Sequence, residues 1–332
     1  MMGTAIELPD QSALPARPDG LSAAHAEAVQ EALDAARSPA TRRAYAAAWR
    51  LWTAWADGLG YTVLPADPVH VAAYLADRAG SGSSAATLGR DVAAIKAYHL
   101  DAGADDPCSG PGVRRVLAGL RRTVGTAPET QAHPLSTAEI RRMVRGIDRS
   151  GLRGKRDTAL IILGYAGALR RSELVGLNVR DLAVKSAGLV LTIRKSKADQ
   201  EGAGVVVGVR RGEYRETDPV AAVLAWIEAA GLAPVDPLFQ GIAWSDRRVN
   251  GRQLSGQSVN LLLVERAKAA GLGDLSISGH SLRAGHATTA AEAGVPAEQL
   301  ARTTRHINLS TLAKYVRPAQ VLSDSSSGSL GL

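Results

Sequence analysis

Along the first third of the chain, apolar positions recur at helical spacing between clear start and stop signals. Tyr45, Ala48, Trp49, Trp52 and Ala56 fall at i, i+3, i+4, i+7 and i+11, which is one face of a helix. Ser38-Pro39 ahead of them supplies a capping hydroxyl and a proline in the first turn, and Gly58 and Gly60 end the run. Asp67-Pro68 opens a second helix, to about Arg78. Ser83 or Ser84 opens a third, with Leu88, Val92, Ile95 and Tyr98 on one side, and Pro111 a fourth, with Val113, Leu117 and Leu120. Four helices with short connections predict a small bundle over residues 36–122. Ahead of it, Pro9, Pro15 and Pro18 sit among few apolar residues. An Ala-rich stretch over 22–36 has helical character but little to bury, so residues 1–35 read as a flexible tail.

The pattern changes beyond residue 122. Residues 123–135, with Gly125, Pro128 and Pro134, read as a linker. Ser136-Thr137-Ala138-Glu139 is a capping box that opens a second domain over 136–322. A long apolar helix follows from about 156 to 168. Residues 189–193 and 205–209 are β-rich runs on either side of Lys195-Ser196-Lys197-Ala198-Asp199-Gln200, a hairpin with a polar, mobile tip. Helices follow near 219–230, 257–270, 281–293, 296–304 and 309–316, and residues 323–332 form a Ser/Gly-rich tail. The expected fold is mainly α in two domains: a four-helix N-terminal bundle, then a mixed α+β domain with a small antiparallel sheet or hairpin. There is no internal repeat.

At 332 residues and 45% hydrophobic, each half has enough apolar side chain for its own core. The formal charge of +7 favours a polyanionic partner, most simply nucleic acid. Only seven of the 39 cationic residues are lysines, and arginine is the better fork for phosphate oxygens. On the bundle, Arg42, Arg43, Arg90, Lys96, Arg121 and Arg122 are the candidate phosphate contacts. A single cysteine, Cys108, excludes an internal disulfide and a cysteine zinc site and suits a reducing compartment. The longest apolar run, 158–169, is too short to cross a bilayer, and the N-terminus lacks a signal-peptide pattern, so the expected location is cytoplasmic. No carboxylate cluster suits a two-metal nuclease; neither metal nor other cofactor is expected.

The chemistry concentrates late in the chain. His280-Ser281-Leu282-Arg283 places an imidazole and a guanidinium on one face of a helix start, where an anion is welcome. Arg305-His306 and Lys314-Tyr315 follow, and Arg170 lies upstream in Gly167-Ala168-Leu169-Arg170-Arg171-Ser172-Glu173-Leu174. A phenol, with a pKa near 10, needs neighbouring cations to attack at neutral pH. A lysine on a mobile hairpin suits protonation of a leaving alkoxide. Lys197 and, two residues away, Lys195 compete for that role. Taken singly, each group has a bland reading: a solvated loop lysine, a helix-start histidine, a packing tyrosine. His286 falls on the other side of its helix and reads as structural.

Taken in order, the set Gly-Ala-Leu-Arg-x-Ser-Glu-Leu, hairpin lysine, His-x-Leu-Arg, His, Tyr resembles the tyrosine recombinase (phage integrase) family, in its Cre-like and Xer-like branches. Arg283 and His306 are 23 residues apart, and His306 and Tyr315 nine. The Ser38-Pro39-Ala40-Thr41…Tyr45…Trp49…Trp52…Trp55 stretch resembles the family's core-binding domain. The likeness covers roughly residues 36–320. It implies that Tyr315 is the nucleophile, that Arg170 and Arg283 hold the scissile phosphate, and that His280 assists deprotonation. It also implies that His306 occupies the position that is His or Trp in relatives, that Lys197 is the general acid, and that Glu173 orients the site. The fold implied is a helical clamp and a catalytic domain closing as a C around DNA. The activity implied is metal- and ATP-independent site-specific recombination, for integration, excision or dimer resolution. The assembly implied is a homotetramer on two DNA sites, a monomer or weak dimer when free, at the nucleoid. Type IB topoisomerase-like relaxation and a catalytically silent DNA-binding protein are the competing readings. Two departures stand out. Arg305 precedes His306 where relatives commonly have Gly, and only 17 residues follow Tyr315, so any element passed to a neighbouring subunit must be short.

Overall fold

The computed structural model describes residues 22–126, 131–194 and 204–305, and divides into two units, residues 1–129 and 130–332. In the first unit, α1 (Ala23–Ala35), α2 (Pro39–Gly58), α3 (Pro68–Gly80), α4 (Ala85–Asp101) and α5 (Pro111–Val124) follow one another. The segment expected as tail therefore contains a helix. Ser22 caps it, its hydroxyl accepting from the His25 N–H at 3.2 Å, and alanine's high helix propensity suffices for the rest. The next three helices begin at the anticipated caps, and α5 at the anticipated Pro111. The Ser38 hydroxyl accepts from Thr41 N–H, the Asp67 carboxylate from Val69 N–H and the Ser84 hydroxyl from Thr87 N–H. Their faces meet in a core of Trp49, Trp52, Tyr74, Leu75, Leu88, Ile95, Val113 and Leu117. Trp49 stacks on Tyr98 with ring centroids 4.4 Å apart, and Trp52 donates from Nε1 to the Val63 carbonyl at 3.2 Å. His99 is fully buried; its Nε2 accepts from the Ala66 N–H at 2.9 Å, so Nδ1 is the donor to the Ile95 carbonyl at 2.8 Å.

The second unit opens with α6 (Thr137–Arg145), whose capping box between Ser136 and Glu139 forms in both directions. Around α7 (Leu152–Ala166) pack α9 (Pro219–Ala230) and α11 (Ser281–Glu292), and residues 159–163 of α7 are buried all round. That accounts for its nearly unbroken apolar run. An antiparallel sheet runs β1 (Leu182–Lys185), β2 (Gly188–Ile193), β3 (Val205–Arg210). Leu189 pairs with Val209, Leu191 with Val207 and Ile193 with Val205, and residues 189, 191, 193, 207 and 209 face the core. Three short strands escaped the sequence pattern. The edge strand β1 is mostly exposed, and β4 (Gln240–Ile242) and β5 (Val249–Gln253) form a separate hairpin whose facing pair, Ile242 and Val249, packs against the core. A short helix, α8 (Arg171–Gly176), then α10 (Gly256–Ala269) and α12 (Ala297–Thr304), complete the described fold. Among the described residues no helix is long and apolar enough to cross a membrane.

Asp157, 2% exposed near the start of α7, is the main charged anchor of this unit. Its Oδ1 accepts from Arg156 Nε (2.9 Å) and Nη2 (2.7 Å), and its Oδ2 from Arg266 Nε (2.8 Å) and Nη2 (2.6 Å), which ties α7 to α10.

Candidate active site

The turn from α7 into α8 is strained. Ala168 is fully buried with φ +45°, a left-handed conformation that costs an alanine roughly 1 kcal/mol. The strain turns the Ala168 carbonyl toward two arginines far along the chain: Arg283 donates to it from Nη1 and Arg305 from Nη2, each at 2.8 Å. Two residues on, Arg170 precedes α8. Glu173 in the first turn reaches back to the Arg170 N–H at 2.8 Å and accepts from the Arg170 guanidinium at 2.6 Å. The guanidinium of Arg170 is on Oε1; Oε2, which accepts from the Arg170 N–H, also accepts from Arg305 Nη2 at 2.6 Å. Burial alone would raise the Glu173 pKa, but the charge of Arg305 and the hydrogen bonds from Arg170 outweigh it and hold the carboxylate below its ordinary value.

Arg283 lies one turn into α11 and is 2% exposed. Its Nη2 donates to the Thr304 carbonyl, while Arg170 Nη2 donates to the Arg305 carbonyl at 3.0 Å. Two arginines more than a hundred residues apart in sequence thus grip consecutive carbonyls of one turn, the turn that leads into residue 306. His280 stands at the head of α11. Desolvation, and then the charges of Arg283, Arg170 and Arg171, lower its pKa from the ordinary value near 6.5. Gly285 allows α11 to lie this close, because a Cβ there would collide with the Leu135 backbone. His286 Nδ1 stands 2.9 Å from the Tyr165 carbonyl.

The structure therefore brings Arg170, Glu173, His280 and Arg283 into one cluster and adds Arg305 to it. His306, Tyr315, Lys195 and Lys197 lie outside the described residues. Arg194, just before the hairpin tip, is held by Asp181 through Nε at 2.8 Å and through Nη2; no sequence spacing announces that pair. Among the described residues no group of three or more His, Cys, Asp or Glu side chains could hold a metal ion.

On the bundle, Arg43, Arg90, Arg121 and Arg122 are exposed and Arg42 is half-buried. Arg121 Nη2 lies 3.6 Å from where a Cβ on Gly89 would stand, so the Arg121 side chain reaches from α5 onto α4. Lys96 departs from the set, as it is ion-paired with Asp106 at 3.0 Å.

The chain matches the phage integrase family over residues 133–321 and the phage integrase N-terminal SAM-like domain over 31–102. It is 32% identical to the integrase/recombinase xerD homolog of Selenomonas ruminantium over 88% of this chain and 85% of that one. It is 24% identical to the cre recombinase of Escherichia phage P1, covering 81% of each. Among solved structures, the XerH site-specific recombinase bound to a palindromic difH substrate aligns with a TM-score of 0.58 at 17% identity, over 80% of this chain and 72% of that one. A lambda integrase dimer bound to a COC′ core site aligns with a TM-score of 0.54 at 14% identity, over 84% and 89%. The protein belongs to the phage integrase family of tyrosine recombinases. It is a site-specific recombinase, an enzyme that cleaves and rejoins DNA.

Proposed function

We infer that this recombinase exchanges strands through a covalent tyrosine intermediate, with Arg170 and Arg283 as the phosphate-binding pair. The supporting observation is their convergence on the Thr304–Arg305 turn, directly before residue 306, with His280 at the head of the helix that carries Arg283. Two buried or half-buried guanidiniums, already aimed, neutralise the scissile phosphodiester and the charge that develops as it is attacked. Losing one such preorganised donor typically costs about two to three orders of magnitude in rate.

Tyr315 Oη attacks phosphorus in line and passes its proton to His280. The bond from phosphorus to the 5′ oxygen breaks, and Lys197 protonates that oxygen. The products are a 3′-phosphotyrosyl link and a free 5′-hydroxyl. One phosphodiester replaces another, so the bond energy is conserved and no ATP is consumed. Attack by a 5′-hydroxyl from a partner strand reverses the step. His306 is assigned to the same site as the residue that is His or Trp in relatives, and Glu173 orients Arg170. Arg42, Arg43, Arg90, Arg121 and Arg122 hold the flanking backbone, and Lys96 joins them if DNA displaces Asp106. Two duplex sites held by four copies of the chain, at the nucleoid in the cytoplasm, provide the partner strand.

A nicked suicide duplex tests the chemistry. The wild-type chain is expected to accumulate a covalent adduct on denaturing gels, and Tyr315→Phe to bind the same DNA with none. An adduct from the Phe variant removes Tyr315 as the nucleophile. With a 5′-bridging phosphorothioate the leaving group needs no proton, so Lys197→Ala is expected to regain cleavage; rescue of Lys195→Ala alone moves the general acid to Lys195.

A further inference from the structure

Arg305 is the least expected part of the cluster. It ends α12 with φ +55° and ψ +44°, a left-handed position that glycine adopts without cost. Its side chain is nevertheless buried, with Nε lacking a partner among the described residues. Both features oppose an arginine here, so its contacts must offset them. Nη1 donates to the Thr303 carbonyl at 2.7 Å and the Gly167 carbonyl at 3.3 Å; Nη2 donates to the Ala168 carbonyl and to Glu173.

We propose that Arg305 is a positioning residue for strand cleavage: by sharing Glu173 with Arg170, it leaves more of the Arg170 charge available to the phosphate while bolting the turn before residue 306 onto the turn before Arg170. The reasoning is electrostatic. The Glu173 carboxylate faces two guanidiniums, with Oε1 on Arg170 and Oε2 on Arg305. With Arg305 present, the charge of the carboxylate is divided between two guanidiniums. Without it Glu173 is paired with Arg170 alone, and its whole charge opposes the hold of Arg170 on the phosphate. That difference acts on an incoming dianionic transition state. Burial pulls the Arg305 guanidinium below its ordinary value, an effect the Glu173 charge opposes, and an arginine starts far enough above neutrality to stay charged.

This inference rests on the phosphate-binding roles of Arg170 and Arg283 proposed above. The test is the single-turnover rate of covalent adduct formation on the nicked duplex, with DNA affinity and urea midpoint measured alongside. Arg305→Gln removes the charge but keeps a donor of similar length; Arg305→Lys keeps the charge but loses the fork. Gln is expected to slow cleavage by about 10- to 100-fold, less than loss of a direct phosphate donor, with DNA affinity changed little, and Lys to retain clearly more of the rate than Gln. In a Glu173→Gln background there is no carboxylate to neutralise, so adding Arg305→Gln is expected to cost less than about threefold, a value set by leaving only the smaller turn-holding contribution. A purely structural role predicts equal losses for Lys and Gln, and the same loss in either background; either result overturns the proposal. If Gln does not fold, Arg305→Gly, which relieves the left-handed strain, takes its place against Lys. A wild-type chain that forms no adduct defeats the site assignment itself, whereas a wild-type adduct unaffected by charge at residue 305 defeats this inference alone.

Discussion

Asp157 offers the sharpest test of how the catalytic unit is held together. The carboxylate receives four short N–H donors, two from Arg156 and two from Arg266, with 3% of its side chain exposed against 13% and 23% for the arginines. Removing one partner of a buried ion pair costs about 3–5 kcal/mol. Here the stranded arginines keep some access to water, so the lower end applies, and Asp157→Ala is expected to destabilise by about 3 kcal/mol. Asp157→Asn keeps the shape and one good acceptor, and about half that loss is expected, since a neutral acceptor bonds a cation less strongly than a carboxylate does. With a urea m-value of about 2 kcal/mol/M, the Ala variant shifts the midpoint of the second unit's transition down by about 1.5 M. Urea denaturation followed by far-UV circular dichroism reads this directly. The internal control is Glu216→Ala: its pair with Arg145, 3.5 Å apart and 70% and 58% exposed, should yield less than about 0.5 kcal/mol. An Asp157→Ala variant within about 1 kcal/mol of wild type, or no more affected than the Glu216 control, would refute the claim that this carboxylate ties α7 to α10.

Three further outcomes are expected. His280 titrates below its ordinary value near 6.5, so the neutral base form persists to lower pH: cleavage should stay flat through neutrality and fall only as pH drops below about 6.5, and an acid limb centred above that value contradicts the assignment. Gly285→Ala should destabilise by about 1–3 kcal/mol, because the added methyl meets the Leu135 backbone, while Gly119→Ala in α5, with nothing within 4 Å, should stabilise by up to about 1 kcal/mol; thermal unfolding of the two variants compares the signs. Replacing Arg121 and Arg122 together by Gln should lower the slope of log DNA affinity against log salt by about 2, and an unchanged slope removes them from the interface.

Much of the first unit was legible because its signals are local. Ser38, Asp67 and Ser84 cap the helices they were expected to cap, and Trp49 and Trp52 fall on the buried face that their spacing required. The helix over Ala23–Ala35 rests on alanine propensity and its Ser22 cap, and no buried apolar face marks it in the sequence. In the second unit, β2 and β3 were visible through their β-branched runs, but β1, β4 and β5 were not: their order comes from a partner strand, and no apolar alternation marks them. Arg170, Glu173, His280 and Arg283 could be named from ordered motifs, yet nothing in the spacing joins Asp157 to Arg266, or Asp181 to Arg194.

Arg305 marks the boundary between the two kinds of information. Linear order alone was enough to place an arginine beside His306 and to mark it as a departure from relatives. Its direction was decided only when α12 ended in a left-handed turn and the strained Ala168 carbonyl, Glu173 and Arg170 arrived from 130 or more residues away. Caps, helical faces and β-branched runs are written in neighbouring residues, whose steric and hydrogen-bonding preferences act over a few positions. The sharing of one buried carboxylate between two guanidiniums depends on distances that exist only once the core of α7, α9 and α11 has closed.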